Sequence, residues 1–243
     1  MLVMHPRISV IIPTLNEEEN ISDLLEILTG YLHNKLSTVE PLGIEIIVSD
    51  GGSTDDTFEV CRRFPVTFIS GQHGRGKQLN TGAAKASGDV LLFLHADSRV
   101  GSEVFAELGR ALAGGNKWGC LTIGFDEKKL LYKVVALASH LRAKLFSSCY
   151  GDQGIFCERG LFAEVGGFPD MPVMEDIALS NLLRPYSKAK VLNSRLVTST
   201  RRFKQSGPIR QIIKIQVIKL LYYFGVSAHQ LAKVYRPFGR EGR

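Results

Sequence analysis

The stretch VTFISGQHGRGKQLNTGAAKASGDVLLFLHAD, from Val66 to Asp97, predicts a strand, a helix and a second strand in that order. Two apolar runs, Val66 to Ile69 and Val90 to Leu94, flank a helix-like segment from Lys77 to Ala86. Continuous apolar strands that alternate with helices are typical of parallel strands covered on both faces. The stretch therefore indicates an α/β fold.

The loop inside this unit is similar to a P-loop, because Gly71 is followed after four residues by Gly76 and Lys77. A P-loop also needs a Ser or Thr after its lysine, because that hydroxyl ligates the magnesium ion. Gln78 stands at this position instead. The loop is therefore either an ordinary Gly-rich turn or a phosphate contact of another kind.

The same alternation continues toward the N-terminus. Ile8 to Ile12 and Ile44 to Val48 are predicted strands, and Glu17 to Leu32 and Thr54 to Phe64 are predicted helices. Asn16 is a candidate N-cap for the first of these helices. Four apolar strands separated by helices predict a mostly parallel central sheet flanked by helices. Further helices are predicted at Ser102 to Ala113, Leu130 to Phe146 and Ile177 to Leu183.

Polar residues follow each of the four predicted strands. In an open parallel sheet, ligands bind in the crevice beyond the carboxyl ends of the strands. The four clusters are therefore expected to meet at one site. They are Pro13 to Glu17, Ser49 to Gly52, Gly71 to Lys77, and His95 to Asp97.

Length and composition favour one large domain with an appended piece, predicted at residues 1–206 and 207–243. The chain has 243 residues, of which 44% are hydrophobic and 22% charged. The four cysteines lack metal-site spacing and are expected to be free thiols. The start of the sequence does not resemble a signal peptide, so we expect a location inside the cell, in the cytoplasm.

The C-terminal piece is strongly basic. From Arg195 to Arg243 there are 11 Lys and Arg residues against one acid, Glu241. Such a segment attracts anions, such as lipid head groups or substrate phosphates, or is simply a solvated basic face. No RNA-binding signature accompanies it, so no nucleic acid partner is expected. The helical segment after Gly207 is expected to be buried, to form a homodimer contact or to lie in a membrane interface.

The ordered motifs resemble family 2 glycosyltransferases, which have the GT-A nucleotide-sugar fold. The motifs are ISVIIPTLNEEENI, IIVSDGGSTDDT, GRGKQLNTGAAKASGDVLLFLHAD, GGFPDMPVMEDIALS and TSTRRF. Several are most similar to a small soluble subgroup associated with arsenosugar biosynthesis. The resemblance covers about residues 7 to 205.

The resemblance implies a set of donor contacts. Glu17 lies near the nucleoside and Asp50 binds the nucleobase, while Pro13 and Thr14 shape the loop beneath it. Arg75 and Lys77 approach the base and the diphosphate. The structural alternatives are that Glu17 and Asp55 are helix caps and that Arg75 is a solvated side chain.

Asp97 matches the last Asp of the family's DxD motif, whose carboxylate holds Mg²⁺ or Mn²⁺ against the diphosphate. His95 replaces the first Asp of that motif, and Ala96 lies between the two residues. His95 is therefore expected either to contact phosphate or to pack at the strand end.

The acceptor side is implied by later motifs. Glu175 and Asp176 resemble the pair in which a carboxylate takes the proton from the acceptor hydroxyl, and Asp176 is the expected base. The alternative is an acidic helix N-terminus. Weaker substrate contacts are expected from Asp152 and Gln153, and diphosphate contacts from Arg201 and Arg202.

The resulting hypothesis is a metal-dependent inverting glycosyltransferase that moves one sugar per encounter. The donor is a nucleotide sugar, UDP-linked rather than GDP-linked, and the acceptor is an unknown hydroxyl compound that could be lipid-linked. One alternative is a nucleotidyltransferase that releases pyrophosphate. The other is a non-catalytic nucleotide- or phosphate-binding protein on the same fold.

Overall fold

A computed structural model describes residues 6–33, 43–200 and 207–235. One eight-stranded sheet organises them. Its strands are β1 (Ile8–Thr14), β2 (Ile44–Asp50), β3 (Thr67–Ser70), β4 (Val90–Phe93), β5 (Ser98–Val100), β6 (Trp118–Phe125), β7 (Ile155–Glu158) and β8 (Lys190–Thr198).

Helices cover both faces of the sheet. They are α1 (Glu18–His33), α2 (Thr57–Cys61), α3 (Arg75–Lys85), α4 (Glu103–Ala113), α5 (Leu130–Phe146), α6 (Arg159–Glu164), α7 (Glu175–Leu183), α8 (Pro208–Tyr223) and α9 (Ala228–Tyr235). The predicted helix from Leu130 to Phe146 has these same bounds. The predicted helix from Thr54 to Phe64 is shorter in the structure, since α2 begins at Thr57 and ends at Cys61.

The strand order is β3-β2-β1-β4-β7-β6-β8-β5. The four strands predicted from the first hundred residues pair in parallel, as expected, with β1 between β2 and β4. β7 is antiparallel to both β4 and β6, and β5 is antiparallel to β8. The predicted α/β class, with a central sheet flanked by helices, is confirmed.

The core has one cluster on each face of the sheet. Ile12 and Val48 pack with Leu24 of α1 and Phe105 of α4 on one side. On the other side, Ile11, Leu79 of α3 and Leu179 of α7 belong to the second cluster. Burying each such side chain contributes about 1.5–3 kcal/mol, so the sheet is a firm platform for the loops at its ends.

The C-terminal helices pack on the loop that precedes α7. Ile218 of α8 and Leu231 of α9 are buried against Met174, Ile177 and Tyr150. The predicted domain boundary between residues 206 and 207 adjoins residues outside the described ranges, and it stays a prediction. Among the described helices, none has both the length and the apolar character that crossing a membrane requires.

All four cysteines are free thiols, as predicted, and all four are buried. Burial raises the pKa of Cys61 to about 11. Burial also raises the pKa of Cys157, and a hydrogen bond with Cys149 together with burial raises that of Cys120. Cys61, Cys120 and Cys157 therefore stay protonated near neutral pH.

Candidate functional site

Asp50 ends β2 as a buried carboxylate that organises the loop after it. Its Oδ1 accepts hydrogen bonds from Thr14 Oγ1 at 2.9 Å and from Ser53 Oγ at 2.5 Å. Its Oδ2 accepts from the backbone amides of Gly52 at 2.9 Å and Ser53 at 2.8 Å. These bonds occupy the four acceptor directions of a carboxylate. A nucleobase that bonds to Asp50 would therefore have to replace one of these partners.

The same loop caps α1, and Asp55 is the capping carboxylate. The amide of Glu17 donates to Thr57 Oγ1 at 2.9 Å, and the amide of Glu18 donates to Asp55 Oδ2 at 3.2 Å. Burial would raise the pKa of Asp55, but its hydrogen bonds with Thr57 and Glu18 leave it lowered. Asp55 therefore acts as a cap: it caps α1 through the amide of Glu18, and its Oδ1 accepts from the amide of Thr57, the first residue of α2, at 3.1 Å. The Glu17 carboxylate accepts from Asn20 Nδ2 at 2.8 Å.

Gln78 explains why the P-loop likeness fails. Its Nε2 donates to the carbonyl oxygens of Thr14 at 2.6 Å and Ser49 at 3.0 Å, so this buried side chain joins the ends of β1 and β2. A Cβ on Gly51 would lie only 2.9 Å from the Gln78 amide, which accounts for the glycine there. The position where a P-loop carries its magnesium-binding hydroxyl thus faces the sheet. Lys77 Nζ lies 3.5 Å from Asp170.

Arg75 begins α3 and forms an ion pair with Glu175 at the start of α7. Its side chain is 37% exposed, whereas that of Glu175 is 2% exposed. Burial opposes the charge on Arg75, but Glu175 and Asp176 outweigh it and raise the Arg75 pKa. Arg75 is therefore held in the site and is not simply a solvated side chain. The second oxygen of Glu175, Oε2, is buried without a hydrogen-bond partner among the described residues.

Asp176 and His95 face the same short turn. Asp176 Oδ2 accepts from the Gly151 amide at 2.7 Å, and its Oδ1 accepts from the Ile177 amide at 2.8 Å. A Cβ on Gly151 would lie 3.0 Å from His95 Nε2 and 3.5 Å from Asp176 Oδ2. The end of β4 and the start of α7 therefore meet at this glycine.

A narrow cavity joins several of the predicted site residues. Its volume is about 10 Å³, which is about the space that one water molecule needs. Its polar lining consists of Arg75, His95, Glu175 and Asp176. Met174, directly before this acidic pair, has a positive φ of 67°. A left-handed backbone is costly for a non-glycine residue, and such strain often occurs where side chains must be aimed at a site.

Asp152 lies in the 3-10 turn Gly151–Gln153, opposite the C-terminal helix. Its side chain is accessible to solvent. The surrounding protein raises the pKa of Asp152 by desolvation, and Lys219 opposes the rise. Burial lowers the pKa of Lys219 to about 8. Gln153 is fully buried, and its Oε1 accepts from Arg142. Asp152 therefore borders the crevice, whereas Gln153 supports it from below.

Several residues of this side were not expected from the sequence. Tyr150 has the guanidinium carbon of Arg142 at 3.2 Å and Lys219 Nζ at 3.9 Å from its ring centre, which are cation-π contacts. Burial and the charge of Asp176 raise the pKa of Tyr222 on α8. The sequence position of Tyr150, just before the motif that contains Asp152, is the signal that could have identified it as a site residue. Lys219 and Tyr222 had none, since the sequence does not place α8 on the site.

Comparison with known proteins gives the family. Residues 9–144, more than half of the chain, match the family model described as glycosyl transferase family 2. The chain belongs to this family. A glycosyltransferase of Haloferax volcanii, AglE, is 33% identical over 125 residues, which are 46% of this chain and 39% of that protein. The chain thus spans well under half of this relative.

Solved structures support the GT-A-like fold of this family 2 member. One is glucosyl-3-phosphoglycerate synthase from Mycobacterium tuberculosis with Mn²⁺, UDP and glucosyl-3-phosphoglycerate, at 23% identity, a TM-score of 0.60, and 86% and 78% coverage of the two chains. The other is a mannosyltransferase, PcManGT, from Pyrobaculum calidifontis with GDP-mannose and Mn²⁺, at 19% identity, a TM-score of 0.66, and 94% and 67% coverage.

Asp97 is the family position expected to hold a metal ion. It is half-buried in the turn between β4 and β5. Within the part of the chain that the structure describes, no group of three or more His, Cys, Asp or Glu side chains could hold a metal by itself. Mg²⁺ is commonly held by only one or two carboxylates together with substrate phosphates. A single carboxylate here fits a metal that arrives with a diphosphate.

The other predicted site residues lie at strand ends or outside the described ranges. Pro13 and Thr14 lie at the end of β1, and Ala96 is buried beside His95. Arg201 and Arg202 lie outside the described residues. The described site therefore gathers Arg75, His95, Glu175 and Asp176 around one cavity. The Asp50 loop follows β2, which is separated by β1 from the strand that His95 follows.

Proposed function

We propose that this glycosyltransferase moves a single sugar from a nucleotide diphosphate donor to an acceptor hydroxyl, with inversion at the anomeric carbon. The observation that carries the proposal is the position of Asp176. Its carboxylate lines the cavity beside His95, next to the ion pair of Arg75 and Glu175. A UDP-sugar is the favoured donor. The likeness to the subgroup associated with arsenosugar biosynthesis and the cytoplasmic location belong to the same proposal.

In the proposed reaction, the acceptor oxygen bonds to the anomeric carbon as the bond from that carbon to the diphosphate breaks. Asp176 takes the hydroxyl proton, and the nucleoside diphosphate leaves with the electron pair. Attack from the face opposite to the diphosphate inverts the configuration. The amides of Gly151 and Ile177 orient the Asp176 carboxylate. General-base assistance of this kind contributes roughly a hundred- to ten-thousandfold.

The other residues position the substrates. Arg75 holds the buried Glu175 and presents a cation near the expected diphosphate. A bound Mg²⁺ or Mn²⁺ would neutralise charge on the leaving diphosphate, and Asp97 would be its protein ligand. The neighbours solved with Mn²⁺ support this assignment. Asp50 shapes the donor loop. A nucleobase that bonds to Asp50 would replace one of its four hydrogen-bond donors.

The test is a product assay with a panel of nucleotide sugars and a matched set of nucleoside triphosphates. Transfer predicts release of a nucleoside diphosphate and an acceptor whose mass rises by one sugar. The anomeric configuration of that product, measured by NMR, tests inversion. Release of pyrophosphate from UTP would instead support the nucleotidyltransferase. Stabilisation by UDP with Mn²⁺ and no turnover on any donor would support the binding protein.

The positive charges on the proposed acceptor side favour an acceptor that can bind next to a cation. Lys219 and Arg142 both lie on the ring of Tyr150, two residues before Asp152. A lipid-linked acceptor would bring the chain to a membrane surface, whereas homodimer formation would bring two copies together. The exposed faces of α5 and α8 help to distinguish a membrane contact from a homodimer contact.

A further inference from the structure

Two helices carry apolar stripes that face solvent. On α5 the exposed residues recur at intervals of three or four, which places them on one face of the helix. The same spacing recurs along α8 and the residue that ends it. The stripes consist of Leu130, Val134, Leu137, Leu141 and Leu145 on α5, and of Ile209, Ile213, Val217, Leu220 and Phe224 on α8. Their side chains are 45 to 78% exposed.

The C-terminal ends of the two helices lie close together. Arg142 of α5 and Lys219 of α8 both contact the ring of Tyr150. Ser148, just after α5, lies 3.3 Å from the hydroxyl of Tyr223 at the end of α8. We call the two stripes together the α5–α8 surface. Exposed apolar area of this extent is unusual on a surface that faces only water.

The α5–α8 surface could be covered by a second copy of the chain or by a membrane, and the charges on the two helices distinguish these two occupants. Neither helix contains an Asp or a Glu. Lys133 and Lys144 on α5 and Arg210 on α8 are exposed cations beside the stripes. Two copies joined through this surface would bring cations against cations, with no carboxylate on either helix to pair with them. An anionic bilayer presents apolar chains beneath negative head groups, and it complements both features.

We propose that the α5–α8 surface docks on an anionic lipid bilayer, with both helices in the interface. The apolar side chains would enter the boundary between head groups and acyl chains, to a depth of roughly 5–10 Å. The flanking cations would lie among the anionic head groups. Because Lys219 projects from the same helix onto the ring of Tyr150, two residues before Asp152, docking would place the acceptor side of the crevice next to the membrane.

The first experiment is co-sedimentation of the full chain with vesicles. One preparation contains phosphatidylcholine and phosphatidylglycerol in equal amounts, and the other contains phosphatidylcholine alone. We expect binding to the anionic vesicles at low salt, weaker binding to the neutral ones, and a loss of binding as salt screens the head groups. Absence of sedimentation with the anionic vesicles would overturn the proposal. The experiment needs no substrate, so its outcome is independent of sugar transfer.

The second experiment substitutes the stripes. Leu137→Glu and Leu220→Glu each replace an exposed leucine by a charge, and each should weaken partitioning to anionic vesicles about tenfold or more. Leu182→Glu is the matched control, because Leu182 is an exposed leucine of α7, outside the surface. Equal weakening by all three variants would show that charge alone acts, and it would overturn the role of the stripes.

A third experiment does not depend on adding a charge. Trp118 is the one tryptophan of the chain and is fully buried. The fluorescence of Leu220→Trp should be quenched by vesicles with brominated acyl chains, and that of Leu182→Trp should not. A measurement of the oligomeric state of the chain without lipid completes the test. A dimer that Leu220→Glu dissociates, together with no quenching, would assign the surface to a second copy and overturn the proposal.

Discussion

Asp50 and Glu175 are both buried carboxylates at the rim of the sheet, yet their surroundings differ. Both oxygens of Asp50 are bound by groups that lie within its own loop or on adjacent β1. Glu175 has one oxygen paired with Arg75, from a helix 100 residues away, and one oxygen that has no hydrogen-bond partner within the described part of the chain. The Asp50 loop, which is the proposed donor side, is therefore complete by itself. The proposed acceptor side around Glu175 holds polar groups that a substrate could still engage.

The largest expected effect concerns the reacting group of the acceptor side. Asp176→Asn should lower kcat by roughly a hundred- to ten-thousandfold, because the amide cannot take the hydroxyl proton. The affinity for the donor should stay the same, since donor contacts come from other loops. Single-turnover kinetics and calorimetry separate the two quantities. Asp56→Asn is the control, because Asp56 is exposed at the start of α2. Near-normal turnover of Asp176→Asn would reject the assignment.

The completeness of the donor side predicts a loss of stability. Asp50→Ala leaves four donors without their acceptor, so the free energy of unfolding should fall by about 3 kcal/mol. Urea unfolding measures this value. The exposed Asp56→Ala serves as the comparison and should change stability little. A small change in Asp50→Ala would mean that the loop does not depend on its carboxylate.

The ion pair between distant helices predicts a smaller loss. Arg75→Met leaves Glu175 buried without a counter-charge and should cost about 2 kcal/mol, less than a fully buried pair because Arg75 is 37% exposed. Adding Glu175→Gln to this variant should restore part of the loss. Additive effects in this double-mutant cycle would contradict the coupling of the two side chains.

The smallest effect concerns Lys219, and it depends on pH. The pKa of Lys219 is about 8 in the folded chain against an ordinary value of 10.5. Between these values the unfolded chain binds more protons, so the contribution of Lys219 to stability rises with pH. Lys219→Met should therefore gain stability relative to the native chain below pH 8 and lose that advantage as the pH rises toward 10.5.

Urea midpoints measured across this pH range provide the test for Lys219. Lys233→Met is the control, because Lys233 is exposed on α9. A difference between Lys219→Met and the native chain that does not change with pH would mean that the ammonium is solvated in the folded state.

The sequence predicted the first half of the fold because its signals are local. Apolar runs such as Ile8 to Ile12 are short and rich in β-branched residues, which is typical of buried strands, and the first three runs are each followed by a helix. The rule that ligands bind beyond the strand ends then predicted a common site. The structure brings Arg75 and His95, from two of the four predicted clusters, to one cavity with Asp176.

The remaining features depend on contacts between distant segments. Asn16 was a sensible cap by its position, but the amide of Glu18 is held by Asp55, from another loop. Likewise, the composition of α8 allowed burial, dimer formation or a membrane contact. The contact of Lys219 with the ring of Tyr150 depends on how α8 packs, and no local pattern encodes that packing.

The four buried thiols have a practical consequence. Since Cys61, Cys120, Cys149 and Cys157 are enclosed by the core, a cysteine placed on the outside of the molecule would be the fast-reacting thiol of the chain. Spin labels or dyes could then be attached along α5 and α8 one site at a time, with every native cysteine left in place.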